Sequence, residues 1–142
     1  MSPEAIELPD GMRRLKVGRL SDVWSLGCIL YQMVYGSPPF HHLSVYQKMK
    51  AIPDDSYSIE FPDYAAPLAP RNDANSPPRR LEHLKVPVPQ SVIETMKRCL
   101  VRNPKERVAI PELLSENWLT MREREYPMTL RVLVLVLILL LP

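Results

Sequence analysis

The chain has 142 residues, of which 46% are hydrophobic and 24% are charged, and its formal net charge is +2. This length and balance suit one folded domain and argue against wholesale disorder. Basic and acidic residues are interspersed, so no basic stripe indicates a nucleic-acid partner and no acidic tract indicates a cation buffer. Cys28 and Cys99 lie in apolar helical patterns, which favours free, buried thiols in an intracellular protein over a disulfide or a metal pair.

The first predicted helix spans about residues 22–35. Ser21 is its expected N-cap, and Gly36 followed by two prolines is its stop signal. Its side chains are apolar on nearly every side. This pattern is typical of a helix that is buried inside a larger body.

A second helix is predicted over about residues 45–52, before Pro53. Ser44 and Gln47 have the spacing of a capping box, in which each side chain bonds the other residue's backbone N–H. The apolar residues that share one face of this helix are Val45, Met49 and Ile52.

The third helix is the most clearly amphipathic, and Ser91 and Glu94 give it the spacing of a second capping box. A short fourth helix is predicted to start at Pro111 and to precede Trp118, because proline is favoured in the first turn of a helix. The apolar stripe of the third helix consists of Val92, Ile93, Met96, Cys99 and Leu100.

Two segments fall outside this helical pattern. Residues 66–85 are rich in proline, asparagine and arginine, and we interpret them as a mobile surface loop. Residues 121–142 form an atypical tail whose apolar run at 132–141 has ten residues, whereas a bilayer span needs about 20. Because the run is short and follows Arg131, a membrane anchor is the disfavoured interpretation, and the exposed run is an aggregation hazard.

The sequence lacks the common self-contained catalytic motifs. It has no Gly-rich phosphate loop, no Ser/His/Asp spacing typical of a triad and no Cys/His cluster with metal-ligand spacing. The histidines are His41, His42 and His83. We interpret each as solvated or locally hydrogen-bonded rather than catalytic.

Three segments, taken in order, carry a family resemblance: MSPEAI at residues 1–6, SDVWSLGCILYQMVYGSPPF at 21–40 and CLVRNPKERVAIPELLSENW at 99–118. They resemble the C-terminal half of the helical lobe of eukaryotic protein kinases. The first is similar to the A-P-E motif that closes the activation segment, here with Ser2 in place of Ala. The second is similar to the D-x-W-x-x-G helix, and the third to the last helices with the family's arginine.

Within that family, the sequences of these segments are most similar to the monopolar spindle checkpoint kinases, the dual-specificity TTK type, and especially to their fungal members. The resemblance covers residues 1–120 apart from 66–85 and stops at the tail. It implies a mainly α fold: a partial kinase C-terminal lobe that contains the end of the activation segment and the last four helices, without an N-terminal lobe.

The resemblance also assigns roles to individual residues. Glu4 would form a buried ion pair with Arg107 and so pin the end of the activation segment to the last helices. Asp22 would accept backbone N–H bonds from the catalytic loop and also favour the N-terminus of its own helix. Trp24 and Gly27 would be packing residues, one filling space and the other permitting close approach.

Ser2 and Pro3 would belong to the loop that receives the substrate residue after the phosphorylated one. Phosphoryl transfer also needs a Gly-rich loop, a strand lysine, an H-R-D-x-x-x-x-N loop and a D-F-G aspartate, and none occurs in the sequence. We therefore expect no catalytic, cofactor-binding or metal-binding residue in this chain, although ATP and magnesium serve a complete family member. We expect the chain to be part of a kinase, with its start at an internal methionine of the longer protein. On its own it is expected to be inactive and only marginally stable.

The resemblance implies protein substrates or kinetochore partners and a nuclear, kinetochore location for an ATP-dependent serine/threonine kinase of the spindle checkpoint. The alternative is a non-catalytic protein-binding module, in which residues 45–52 and 66–85 dock a partner. No nucleic acid is expected to bind.

Overall fold

A computed structural model describes residues 1–7, 18–70, 77 and 79–120 of the chain. The tail at 121–142, including the apolar run at 132–141, lies outside the described residues. The helices are α1 (Pro3–Ile6), α2 (Arg19–Tyr35), α3 (Val45–Ala51), α4 (Gln90–Cys99) and α5 (Ile110–Leu114), with a 3-10 helix at Glu82–Leu84 and strands β1 (Tyr64–Ala65) and β2 (Val86–Pro87). The mainly α fold class is as predicted.

Helix α2 is longer at its N-terminus than the sequence predicts. It begins after Gly18, so Ser21 lies inside the first turn and its assignment as the N-cap is wrong. The side chain of Ser21 is instead buried and shares a hydrogen bond with Ser2. The stop was predicted correctly, because Gly36 caps α2 in the left-handed conformation with φ of 84°.

The main core lies between α2 and α4. The apolar stripe of α4 packs on α2 as its periodicity predicts, and α5 with the following turn closes the same core. Gly27 permits this close approach, since a Cβ there would lie 2.7 Å from the Cβ of Cys99. A second cluster joins Trp24 of α2 to Phe40, Ala51 and Leu100.

The start of α4 differs from the prediction. Val88 donates its backbone N–H to Asp63 at 2.7 Å, and α4 begins two residues later, directly after Pro89. Ser91 therefore lies in the first turn, and the predicted capping box with Glu94 is wrong. In α5 the proline lies in the first turn as predicted, with the helix starting one residue earlier.

Both ends of segment 66–85 are hydrogen-bonded. Strands β1 and β2 are antiparallel, with Ala65 opposite Val86, and an isolated bridge pairs Leu68 with Arg80. No sequence pattern predicts this pairing, because the strands have two residues each and show no alternation of apolar and polar residues. The mobility predicted for the segment stays a prediction, since residues 71–76 and 78 lie outside the described ranges.

Helix α3 has the predicted capping box, which is confirmed. However, Ala51 is the buried residue of this helix, and Val45 and Met49 face solvent. Among the described residues, no helix has the length and apolar character needed to cross a bilayer.

Candidate functional site

Arg107 and Glu4 meet in the structure although 103 positions separate them. Arg107 donates from Nη1 to Glu4 Oε1 at 2.9 Å and from Nη2 to Oε2 at 3.0 Å. This two-pronged geometry is the strongest form of a carboxylate–guanidinium contact. The Arg107 side chain has no exposed surface, and 27% of the Glu4 side chain is exposed.

Backbone carbonyls take the remaining donors of Arg107. Its Nε binds Val101 O at 2.8 Å, Nη1 binds Leu20 O at 2.5 Å and Nη2 binds Arg102 O at 3.0 Å. Guanidinium has five N–H groups, so these three bonds and the two to Glu4 satisfy all of them. Arg107 thus ties α1, the first turn of α2 and the turn after α4 together.

The protonation of Glu4 reflects this contact. Burial raises the pKa of Glu4, but the hydrogen bonds from Arg107, the local backbone and Ser2, together with the positive charge of Arg107, outweigh it. The pKa therefore lies below its usual value of 4.5. The carboxylate is held ionised as an anchor, and it has no free proton to exchange with a substrate at neutral pH.

The two candidates for substrate contact, Ser2 and Pro3, are both buried. Ser2 is 1% exposed, and its Oγ lies 2.7 Å from the Oγ of Ser21. These contacts fix α1 against α2. The substrate-loop role of both residues stays a prediction.

The three remaining candidates lie on α2. Asp22 is half-buried in its first turn, where its charge favours the N-terminal end of the helix. It makes no hydrogen bond to another described residue, so the predicted contact with a catalytic loop stays a prediction. Trp24 is buried, with its ring centroid 5.3 Å from the Arg107 guanidinium carbon, and Gly27 packs on α4.

A second group of side chains, which no sequence pattern predicts, lines a cavity of about 490 Å³ beside the end of α2. Tyr31 donates its hydroxyl to Glu60 O at 2.9 Å, and Tyr35 donates to Pro62 O at 2.7 Å. Burial, followed by the neighbouring Tyr31 and Asp63, raises the pKa of Tyr35 to about 12, so it stays a donor. Arg80 reaches the carbonyl of Tyr35 at 2.9 Å. No local sequence pattern could have revealed these contacts, because each joins a side chain to a backbone carbonyl that lies far away in the sequence.

The described residues contain no cluster of potential metal ligands. His42 is locally bonded as predicted, with Nε2 2.8 Å from the hydroxyl of Tyr57. Both cysteines are free. Burial raises the pKa of Cys28 to about 11 and that of Cys99 to about 12, so neither is an activated nucleophile.

Comparisons with known proteins give the same family as the three motifs. The sequence profile of the protein kinase domain matches residues 1–119. Serine/threonine-protein kinase mph1 of Schizosaccharomyces pombe is 46% identical over 120 residues, which are 80% of this chain. Dual specificity protein kinase TTK of Mus musculus is 40% identical over 81% of this chain, and Serine/threonine-protein kinase MPS1 of Saccharomyces cerevisiae is 38% identical over 73%.

The chain spans only 17% of the length of the first of these relatives and 11% of each of the other two. Over the matched residues, the order of motifs, the mainly helical architecture and the family profile agree. The chain therefore belongs to the protein kinase family, and its described residues form part of the C-terminal, helical lobe of that fold.

Proposed function

We propose that the chain is part of the C-terminal, substrate-binding lobe of a dual-specificity serine/threonine kinase of the spindle checkpoint. We also propose that this polypeptide alone transfers no phosphate. The observation that carries this proposal is the Arg107 anchor, in which a buried guanidinium holds Glu4 of the S-P-E motif at 2.9 Å. The anchor fixes the end of the activation segment to the lobe. The contact holds the substrate-binding surface of the lobe in place and takes no part in the transfer of phosphate from ATP.

The inactivity follows from the chemistry that the reaction needs. Phosphoryl transfer depends on positioned magnesium ions, a lysine on the phosphates and an aspartate at the attacking hydroxyl. The 142-residue sequence has no motif that would supply them. In a complete kinase, ATP and magnesium would be held by residues outside this sequence. Protein substrates, a nuclear location and kinetochore partners belong to the same proposal and rest on family resemblance.

A chimeric kinase tests the substrate-lobe role directly. The matching segment of the Schizosaccharomyces pombe relative is replaced by residues 1–119 of this chain, and phosphate transfer from labelled ATP to a serine-, threonine- and tyrosine-containing peptide library is measured. We expect the chimera to remain active and its Arg107→Ala variant to lose most activity, with the unmodified relative as reference. A folded but inactive chimera would contradict the proposal.

The same assay on the 142-residue chain tests its inactivity. We expect labelled phosphate to stay at the level seen with heat-denatured protein. Turnover that rises with the amount of chain would refute the inactive assignment. Replacing Ser2 and Pro3 in the chimera then tests their substrate role, since unchanged peptide selectivity would count against it.

A second candidate function is a protein-binding module that works without phosphate transfer. The outward-facing apolar side chains of α3 favour it, because exposed apolar patches mark interaction sites. The two candidates differ in the assay that detects them, since the first is measured by transfer in the chimera and the second by binding to the chain itself.

A further inference from the structure

Helix α3 turns its large apolar side chains toward solvent. Val45, Tyr46 and Met49 are 78%, 69% and 44% exposed, whereas Ala51 is the buried residue of the helix. A surface helix normally places its apolar stripe against the core. The stripe of α3 points the other way and lacks a partner among the described residues.

Polar contacts stabilise both ends of α3, and those at its C-terminus also join it to Arg102. At the N-terminus, Gln47 Oε1 accepts the N–H of Ser44 at 2.9 Å, and Ser44 Oγ accepts the N–H of Gln47 at 3.3 Å. At the C-terminus, Arg102 donates to the carbonyls of Ile52 at 2.8 Å and Ala51 at 3.3 Å. A helix of seven residues is unstable alone in water, so these contacts pre-form the apolar face before any partner arrives.

Lysines border the apolar face on both sides. With about 100° of rotation per residue, Val45, Met49 and Tyr46 occupy an arc of about 100°. Lys50 lies about 40° beyond Tyr46, and Lys48 lies about 60° before Val45. The Nζ of Lys50 is 4.5 Å from the centroid of the Tyr46 ring, so its charge stays at the edge of the face.

We propose that this face of α3 docks an amphipathic helix of a partner protein, one whose apolar stripe is flanked by acidic residues. The inference rests on the second candidate function, a protein-binding surface, and is independent of phosphate transfer. The apolar arc supplies the contact area, and the two lysines select for carboxylates on the partner. A second copy of the chain fits poorly, because two lysine-edged faces would repel each other.

The residues after α3 favour a protein over a membrane. A basic amphipathic helix can also lie on an anionic lipid surface. Here Asp54 and Asp55 follow α3 after Ile52 and Pro53 and are both exposed, so an extended anionic plane at this end of the helix would repel them. A partner helix meets the face alone and can avoid both aspartates.

The test uses the full 142-residue chain and a fluorescein-labelled helical peptide of about 20 residues, which exceeds the length of about 12 to 15 residues below which isolated helices are marginal. The peptide carries leucines at positions i, i+3, i+4 and i+7, with glutamates on both flanks, and a control peptide has lysine in place of every glutamate. Binding is measured by fluorescence anisotropy at low and high salt. Circular dichroism of each protein variant confirms that it remains folded.

We expect the glutamate peptide to bind and the lysine peptide to bind at least about tenfold more weakly. Tyr46→Ser should weaken binding by about tenfold or more, since aromatic residues dominate interface energies. Leu84→Ser is the matched control, because Leu84 is also exposed, at 52%, but belongs to the 3-10 helix Glu82–Leu84 and not to α3. Lys50→Glu should remove most of the preference between the two peptides, because Lys48 alone then remains positive, and changing both lysines to glutamate should reverse it.

Sedimentation with phosphatidylserine vesicles is measured in parallel. Four results would overturn the proposal: no binding of the glutamate peptide, equal binding of both peptides, equal loss in Tyr46→Ser and Leu84→Ser, or binding to the vesicles alone. Failure here leaves the kinase proposal intact when the chimera transfers phosphate. Conversely, an inactive chimera beside a selective peptide complex would remove the kinase role and keep the docking face.

Discussion

Two arginines bind glutamates of other segments: Arg107 binds Glu4 inside the molecule, and Arg98 binds Glu112 and Glu116 at its surface. The side chain of Arg107 is fully buried against Glu4. The side chain of Arg98 is 44% exposed and binds Glu112 at 2.8 Å and also Glu116. Arg98 therefore has two ion-pair partners, whereas Arg107 has one.

The two arginines differ in the hydrogen-bonding groups that would lose their partner if the arginine were removed. Arg107 satisfies three backbone carbonyls as well as the Glu4 carboxylate, and water cannot easily replace it there. Around Arg98 the guanidinium itself and Glu112, which is 61% exposed, remain accessible to solvent, which screens their charges and hydrates them. Burial and the carbonyls bound, rather than the number of ion pairs, therefore decide which arginine stabilises the fold.

Replacing Arg107 by alanine should produce the largest effect. The change leaves Glu4 and three carbonyls without their partner, and breaking a buried pair in this way costs about 3 to 5 kcal/mol. Urea unfolding followed by tryptophan fluorescence measures the loss, and Arg98→Ala is the matched control. Similar losses in the two variants would contradict the comparison.

Arg107→Lys sharpens the same comparison by keeping the charge and removing the planar fork. An ammonium group has three N–H donors and cannot bind a carboxylate and three differently directed carbonyls at once. We expect a loss of about 2 to 3 kcal/mol from the unsatisfied groups. If the lysine variant were as stable as the parent, charge alone would explain the anchor.

The sequence predicted the buried interface better than it predicted the ends of the helices. The period of the α4 stripe places Val92, Met96 and Cys99 on the core face, because burial of apolar area dominates the position of that helix. Ser21 and Ser91 were misassigned as N-caps. Each is a reasonable cap locally, but the tertiary contacts with Ser2 and with the β1–β2 pairing moved the helix starts.

The pairing of Glu4 with Arg107 could be predicted only from the family resemblance. Glu4 and Arg107 lie 103 positions apart, and no periodicity or spacing connects two single residues at such a distance. For α3 the local pattern predicted the capping box correctly but did not predict that Val45 and Met49 face solvent. That direction depends on where Arg102 fixes the end of the helix.

Glu4→Gln tests whether the charge of the carboxylate contributes to the buried cluster. At neutral pH we expect a loss of about 1 to 2 kcal/mol, because the amide keeps one acceptor but no charge. The folded pKa of Glu4 lies below 4.5, so its stabilisation is present above that pH and is lost as the pH falls through the folded value. Urea titrations at pH 7, 5, 4 and 3 should show the gap between parent and variant narrowing below about pH 4.5. A gap that is constant across this range would exclude a charge contribution.

Arg98→Ala should produce the smallest effect and therefore tests the other side of the comparison. Its two glutamates belong to α5 and the turn after it, so the bonds join α4 to the C-terminal part of the core. Exposed pairs of this kind contribute less than about 1 kcal/mol, and high salt reduces that further. Gln90→Ala, at an exposed and uncharged position of α4, is the control for a substitution on this helix that removes no charge. Urea unfolding of both variants at low and at 1 M salt separates the terms, since only the Arg98 difference should shrink. A salt-insensitive loss as large as that of Arg107→Ala would show that solvent exposure does not set the energetic value of these clusters.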